Sequence, residues 1–281
     1  MAESRPITFG HSPDADDAFM FYGFASGNVT IPGRQIEHIM DDIESLNRRA
    51  VAGDLDVTAI SAAQYPNVAR HYRIMSCGAS AGRNYGPVLV ARTPINVSDL
   101  SGLTVGVPGE FTTSWMLFRM FVQIPVKPVF LHFEEVERAV TEGKVDAGIL
   151  LHEGQIMYKN LGLHSILDLG MQWFKITGLP IPLGLDVVHR RLGATAQLVA
   201  NGLRQSVEFA RSHEDEALDY ALSFGRGIGR EDGRRFVRMY VNDDTVDMGP
   251  DGKSALVKLY SMATELRLIK ECPPLDILQV H

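Results

Sequence analysis

Short apolar runs of strand character alternate with stretches of helical periodicity along most of the chain. PITFGH reads as a strand, and DADDAFMFYGFASG after it as a helix closed by Gly27. RQIEHIM is the next strand. DIESLNRRAVAG follows as a helix capped by Asp41 or Asp42, whose carboxylate can accept from free first-turn N–H groups, with Gly53 past its end. LDVTAIS is then a strand, and AAQYPNVARHY a helix opened or interrupted by Pro66. After GPVLVART the pattern restarts: LTVGVPG, PVFLHF and DAGILL read as strands, separated by the helical stretches TTSWMLFRMFV and EEVERAVTEG. Such alternation predicts an α/β fold with a substantially parallel sheet.

The restart near Thr93 and Pro94 divides the chain into two α/β lobes. The Pro/Gly-rich TGLPIPLGLDVV is the candidate return crossing, so crossings are expected near Val90 to Pro94 and Trp173 to Val188. Residues 1–92 and 185–281 then form a discontinuous first lobe, and 93–184 the second. From Gly193 the chain reads as mostly helical, TAQLVANGLRQSVEFARSH being the clearest amphipathic case, and these helices are expected on the first lobe. Two lobes joined by two extended crossings make a hinged clamshell. Its ligand would bind beyond the carboxyl ends of the strands.

Composition narrows the function classes. A chain of 281 residues, 45% hydrophobic and 22% charged, can bury a real core. The net charge of -7, with no clustered basic face, argues against a nucleic-acid partner. No apolar run approaches a membrane span, and MAESRPITFG lacks a basic segment followed by a long apolar one. A cytoplasmic location without membrane contact is the expectation. Cys77 and Cys272 have no metal-binding or redox spacing and are expected to be reduced and structural.

Polar residues collect at strand ends. In GHSPDADDAF, Ser12, Asp14, Asp16 and Asp17 open a helix, where carboxylates cap N–H groups and complement the dipole; most of the three aspartates are expected to do only that. A metal site built from them is disfavoured, because adjacent carboxylates on one turn diverge. Ser61 ends VTAIS and is expected to be an ordinary helix cap. Thr112, Thr113 and Ser114 open an apolar helix after a strand and a Pro-Gly turn, which suits either a cap or a carboxylate or phosphate site. His152 ends the buried strand DAGILL and would point into the cleft, with Gly154 letting the chain turn out of the sheet. His11, at another strand end, is the rival base. GRGIG at Gly225 is no dinucleotide fingerprint, since it follows a helix, and HEGQI lacks a second histidine for zinc.

SPDADDAFMF, DIESLNRRAVAG, LDVTAIS, VPGEFTTSWML, DAGILLHEGQ, LDLGMQW, TGLPIPLG and YVNDDTVDMG together resemble the 1,4-dihydroxy-6-naphthoate synthases of the futalosine route to menaquinone. The resemblance implies a fold like the type 2 periplasmic binding proteins, a carbon–carbon lyase and no cofactor or metal. It implies cyclic dehypoxanthine futalosine, a small-molecule carboxylate, as substrate, with His152 as general base. Ala59, Ile60 and Ser61 match one substrate-binding segment, Thr113 and Ser114 the other, and Ser12 and Asp17 are kept from the first motif. That family usually reads Ser-Pro-Cys-Pro-Asn-Asp there, and often has lysine in place of Ala59. The alternatives are a solute-binding protein for a small carboxylate, which would require export, and a chorismate dehydratase-like enzyme, which the paired SPDADDAF and LLHEGQ motifs fit less well.

Overall fold

The computed structural model describes residues 5–224 and 228–280, so Gly225 lies outside the described residues. Twelve strands are assigned among them: β1 Ile7–His11, β2 Ile36–Met40, β3 Val57–Ser61, β4 Tyr72–Met75, β5 Ser80–Gly82, β6 Val88–Ala91, β7 Thr104–Val107, β8 Lys127–Phe130, β9 Ala147–Leu150, β10 His164–Asp168, β11 Ile181–His189 and β12 Ile277–Leu278. They form two sheets and two compact units. The first unit runs to Ala81 and resumes over Leu183–Lys253 and from Pro273; the second comprises Gly82–Pro182 and Ser254–Cys272. The expected crossing near Val90 is instead the buried strand β6, because its continuous apolar run pairs on both edges within the second sheet. Residues 254–272, expected in the first lobe, fall in the second unit. The Gly249–Glu265 helix carries the buried stripe Ala255, Leu256, Leu259, Tyr260 and Ala263 there.

The first sheet is ordered β12-β4-β11-β3-β1-β2, with β5 against β11. β1 lies parallel between β2 and β3, so His11, Met40 and Ser61 end their strands along one edge. The helix Ile43–Ala52 joins β2 to β3. Asp42 caps it by accepting from the N–H groups of Glu44 and Ser45, and Gly53 stops it in the left-handed region at φ 70°. The long Thr195–Ser212 helix packs on this unit, where Ser206 donates to the carbonyl of Met20 at 2.7 Å. Gly23 permits the approach, since a Cβ there would lie 2.7 Å from Ser206 Cα.

The second sheet is ordered β10-β6-β9-β7-β8, with β7 parallel to both β8 and β9. The helix Phe133–Thr141 buries Val136, Ala139 and Val140 against this sheet together with Val88, Val90 and Leu150. A Cβ at Gly148, in β9, would meet Val140 Cγ2 at 2.6 Å, so only glycine lets the helix settle this closely. That packing fixes β9, and with it the residues that follow the strand. Among the described residues no helix is long and apolar enough to cross a membrane.

Candidate active site

In the second unit three neighbouring strands deliver polar or aromatic residues at their carboxyl ends, where open α/β sheets bind ligands. After β7 comes the Thr113–Phe121 helix. Thr112 caps it, its hydroxyl accepting from Trp115 N–H at 3.3 Å while donating to the carbonyl of Gly109 at 2.9 Å. Ser114 Oγ donates to Thr112 Oγ1 at 3.1 Å. The cap reading thus belongs to Thr112. Thr113 and Ser114 begin that helix, the end at which backbone N–H groups and the dipole favour an anion. Thr113 and Ser114 are both buried.

After β9 comes His152, with φ 50°, one of three non-glycine residues at positive φ among those described. The turn out of the sheet, expected to rely on Gly154, uses a left-handed backbone at the histidine itself. Gly154 opens a short helix, and a Cβ there would find only ordinary contacts, Leu150 Cβ at 3.5 Å being the nearest. A histidine held at positive φ costs on the order of 1–3 kcal/mol, which the surrounding packing must supply, and such strain concentrates at functional sites. After β8, Phe133 meets the His152 ring edge to face, with centroids 5.1 Å apart. The imidazole is thereby oriented by an apolar neighbour. Glu153 beside it is buried.

In the first unit the reading of Ser61 changes. Its side chain caps no helix: Asn47 Nδ2 donates to Ser61 Oγ at 3.0 Å, and Ser61 N–H donates back to Asn47 Oδ1 at 2.8 Å. Only a 3₁₀ turn, Ala62–Gln64, and the short helix Tyr65–Val68 follow, so AAQYPNVARHY is not one helix. Ala59 and Ser61 share one face of β3 by the two-residue alternation of strands, opposite Asp186 and Gly184 of β11. Ile60 points to the other face and is fully buried, so it offers a ligand at most its backbone.

The first motif folds into a buried turn. Asp14 caps the helix Ala15–Met20, accepting from Asp17 N–H at 3.2 Å, and Asp17 reaches back to accept from Ser12 N–H at 2.7 Å. Ser80 Oγ lies 3.4 Å from Asp16 Oδ2. Of the three aspartates expected to cap the helix, Asp14 does so, Asp17 instead holds the Ser12 N–H, and all three are buried. Burial first, then the charges of Asp14 and Asp186, hold the Asp17 carboxyl well above the usual range. Ser12 Oγ is buried with no hydrogen-bond partner among the described residues. His11 has a different occupation from the rival base imagined for it. Its ring stacks on Phe21 at 4.5 Å, Nε2 lies 3.1 Å from His38 Nδ1, and burial, then His38, brings its pKa down to about 4.

Three residues, Asn47 and Asp186 in the first unit and Phe133 in the second, escaped the sequence reading. Asn47 sits in a helix whose amphipathic pattern hid its role, though a fully buried asparagine must be hydrogen-bonded. Phe133 read as the last residue of the strand PVFLHF, whereas it opens the Phe133–Thr141 helix. Asp186 lay within TGLPIPLGLDVV, read as the return crossing; it is buried in β11, and neither carboxylate oxygen has a hydrogen-bond partner among the described residues. A Cβ at Gly78, φ 82°, would lie 2.1 Å from Asp186 Oδ2, so glycine makes room for that carboxyl. Cys77 and Cys272 are free thiols, and burial pushes the Cys77 thiol up, which leaves it inert.

A sequence profile described as menaquinone biosynthesis matches residues 7–265. The chain belongs to that family. It is 35% identical over 268 residues to a 1,4-dihydroxy-6-naphtoate synthase of Thermus thermophilus, covering 95% of this chain and 97% of the relative. Among solved structures it is similar to protein AF1704 of Archaeoglobus fulgidus, at 44% identity and TM-score 0.90, over 94% of this chain and 98% of that one. It is similar also to the alkanesulfonate-binding protein SsuA of Xanthomonas axonopodis pv. citri, which matches over 100% of both chains with TM-score 0.73 at 12% identity. That last likeness concerns the fold alone, which is α/β and of the periplasmic-binding-protein kind. The named relative is an enzyme, and the family is one of menaquinone biosynthesis.

Proposed function

We propose that this chain is a 1,4-dihydroxy-6-naphthoate synthase. It would take cyclic dehypoxanthine futalosine and release the aromatic naphthoate by carbon–carbon cleavage, with His152 as the general base that withdraws the initiating proton. The observation that carries this reading is the state of His152 in a chain 35% identical to a named synthase. The imidazole stands at the end of β9 on a strained left-handed backbone, braced by Phe133. A positioned imidazole is worth about 10²–10⁴-fold as a general base.

The remaining roles follow from what each side chain can offer. The N–H groups of Thr113 and Ser114 at the helix start suit a substrate carboxylate, because backbone donors and the helix dipole favour negative charge together. Ser61, locked by Asn47, and the buried hydroxyl of Ser12 supply oriented hydrogen bonds; Ala59 gives a small apolar wall. Asp17 acts through Ser12, whose backbone it holds. Proton abstraction and ring aromatisation call for no cofactor or metal. A biosynthetic role in the cytoplasm, without nucleic-acid or membrane partners, is in keeping with a net charge of -7 and with enzymes as relatives. Incubating purified protein with cyclic dehypoxanthine futalosine tests the reading: the naphthoate chromophore should appear. If the substrate is returned intact under conditions where the Thermus thermophilus enzyme turns it over, the proposal fails.

A further inference from the structure

Arg119, on the Thr113–Phe121 helix, is a partly buried cation without an ion pair among the described residues. Its Nε is shut off from solvent without a hydrogen-bond partner, and no ion pair reaches its guanidinium among the described residues. Two other partly buried arginines are paired: Arg191 reaches Asp56, and Arg234 reaches Glu214 and Asp215. Desolvating a guanidinium without a partner is unfavourable, and burial draws its pKa down, with the charge of Glu110 opposing. What holds Arg119 in place is Trp115, whose ring centroid lies 5.4 Å from the guanidinium carbon.

The same residues line a cavity of about 390 Å³ within the second unit, walled by Trp115, Phe118, Val122, Ile124 and Pro128 with Arg119 at its edge. That volume is in the range of small-molecule sites, about 300–1,000 Å³. Its aromatic wall is organised: Trp115 stacks on Phe118 at 5.3 Å and meets Phe130 edge-on at 6.0 Å, and Phe130 is itself 47% exposed. Arg119 lies six residues beyond Thr113, about 9 Å along the helix axis, so this cavity is separate from the helix start. We propose that it is a second ligand site, taking a small aromatic carboxylate whose ring packs on Trp115 and whose carboxylate pairs with Arg119. One cation among apolar walls suits a singly charged anion, and a flat aromatic face suits a ring of one or two cycles. A polyphosphate would bring more charge than one guanidinium can neutralise.

The test uses the full chain, with 2-naphthoate as probe and uncharged 2-naphthalenemethanol as control. Binding is followed by calorimetry and by the indole N–H resonances of the two tryptophans. Trp115 should shift on addition of 2-naphthoate, while Trp173, fully buried, should not. Arg119→Met, which keeps most of the apolar stem, should weaken this event about 10–100-fold, as loss of a charge-assisted pair does. The neutral alcohol should bind the parent protein at least about ten times more weakly. Thr113→Val should leave the Trp115-linked event intact, which separates it from any anion bound at the helix start. Unchanged affinity in a folded Arg119→Met overturns the proposal. So does a parent spectrum in which Trp115 does not move, a result that needs no variant.

Discussion

Asp186 should make this protein less stable as pH rises through neutrality, and Asp186→Asn should remove the effect. Burial pushes the carboxyl up from 3.8 to about 8, and neither oxygen finds a hydrogen bond among the described residues. The folded protein therefore keeps a proton that the unfolded chain releases above about pH 4. Stabilisation from this group is complete below the unfolded value and drains away as pH climbs towards 8. One pKa unit corresponds to about 1.36 kcal/mol, so between pH 5 and pH 8 the loss is at most about 4 kcal/mol. Asp17, raised by burial and by its acidic neighbours, acts in the same direction. His11, drawn down to about 4, acts oppositely, because the unfolded histidine gains a proton below about 6.5 that the folded one refuses. The parent curve alone would mix these contributions, so the informative quantity is the variant minus the parent. Asparagine fits the room that Gly78 leaves and does not titrate. Urea unfolding at pH 5, 6, 7 and 8 should show the variant close to the parent at pH 5 and gaining up to about 4 kcal/mol by pH 8. Parallel pH profiles, or a variant that falls further behind at pH 8, would refute the buried, protonated Asp186.

Other perturbations probe the supports of the site. Asn47→Ala strips Ser61 of both hydrogen bonds and leaves a buried N–H unpaired, which should cost about 2–4 kcal/mol in urea unfolding. If Ser61 also orients substrate, KM should rise in that variant at temperatures where it remains folded. His152→Gly should melt later than His152→Ala by the equivalent of about 1 kcal/mol, since only glycine adopts φ 50° freely. Equal melting of the two would remove the case for backbone strain at this position.

Local chemistry made part of this structure legible in the sequence. Asp42 and Gly53 bracket their helix as the capping rules require, and the strand-ending runs at Ser61, Val107 and Leu150 were found from apolar continuity. What was missed depends on contacts distant in sequence. Val88–Ala91 and Ile181–His189 carry prolines or glycines at their flanks and read as linkers, yet each lies in a sheet because neighbouring strands offer it hydrogen bonds. Ser61 looked like a cap because serine before a turn usually is one; its partner Asn47 is fourteen residues away. His11 and His152 are both strand-end histidines, and no sequence pattern separates the one packed on Phe21 and His38 from the one standing at positive φ. The sequence likewise could not tell that the Asp14–Asp17 turn is buried, because the residues covering it come from elsewhere in the chain.

The central claim is that His152 is the base, and the steady-state kinetics of His152→Asn with cyclic dehypoxanthine futalosine test it most directly. Asparagine also tolerates positive φ, so the turn after β9 should persist. The account predicts kcat lower by about 10²–10⁴-fold, KM within a few-fold of the parent, and an unchanged melting transition. Turnover at the parental rate would contradict it.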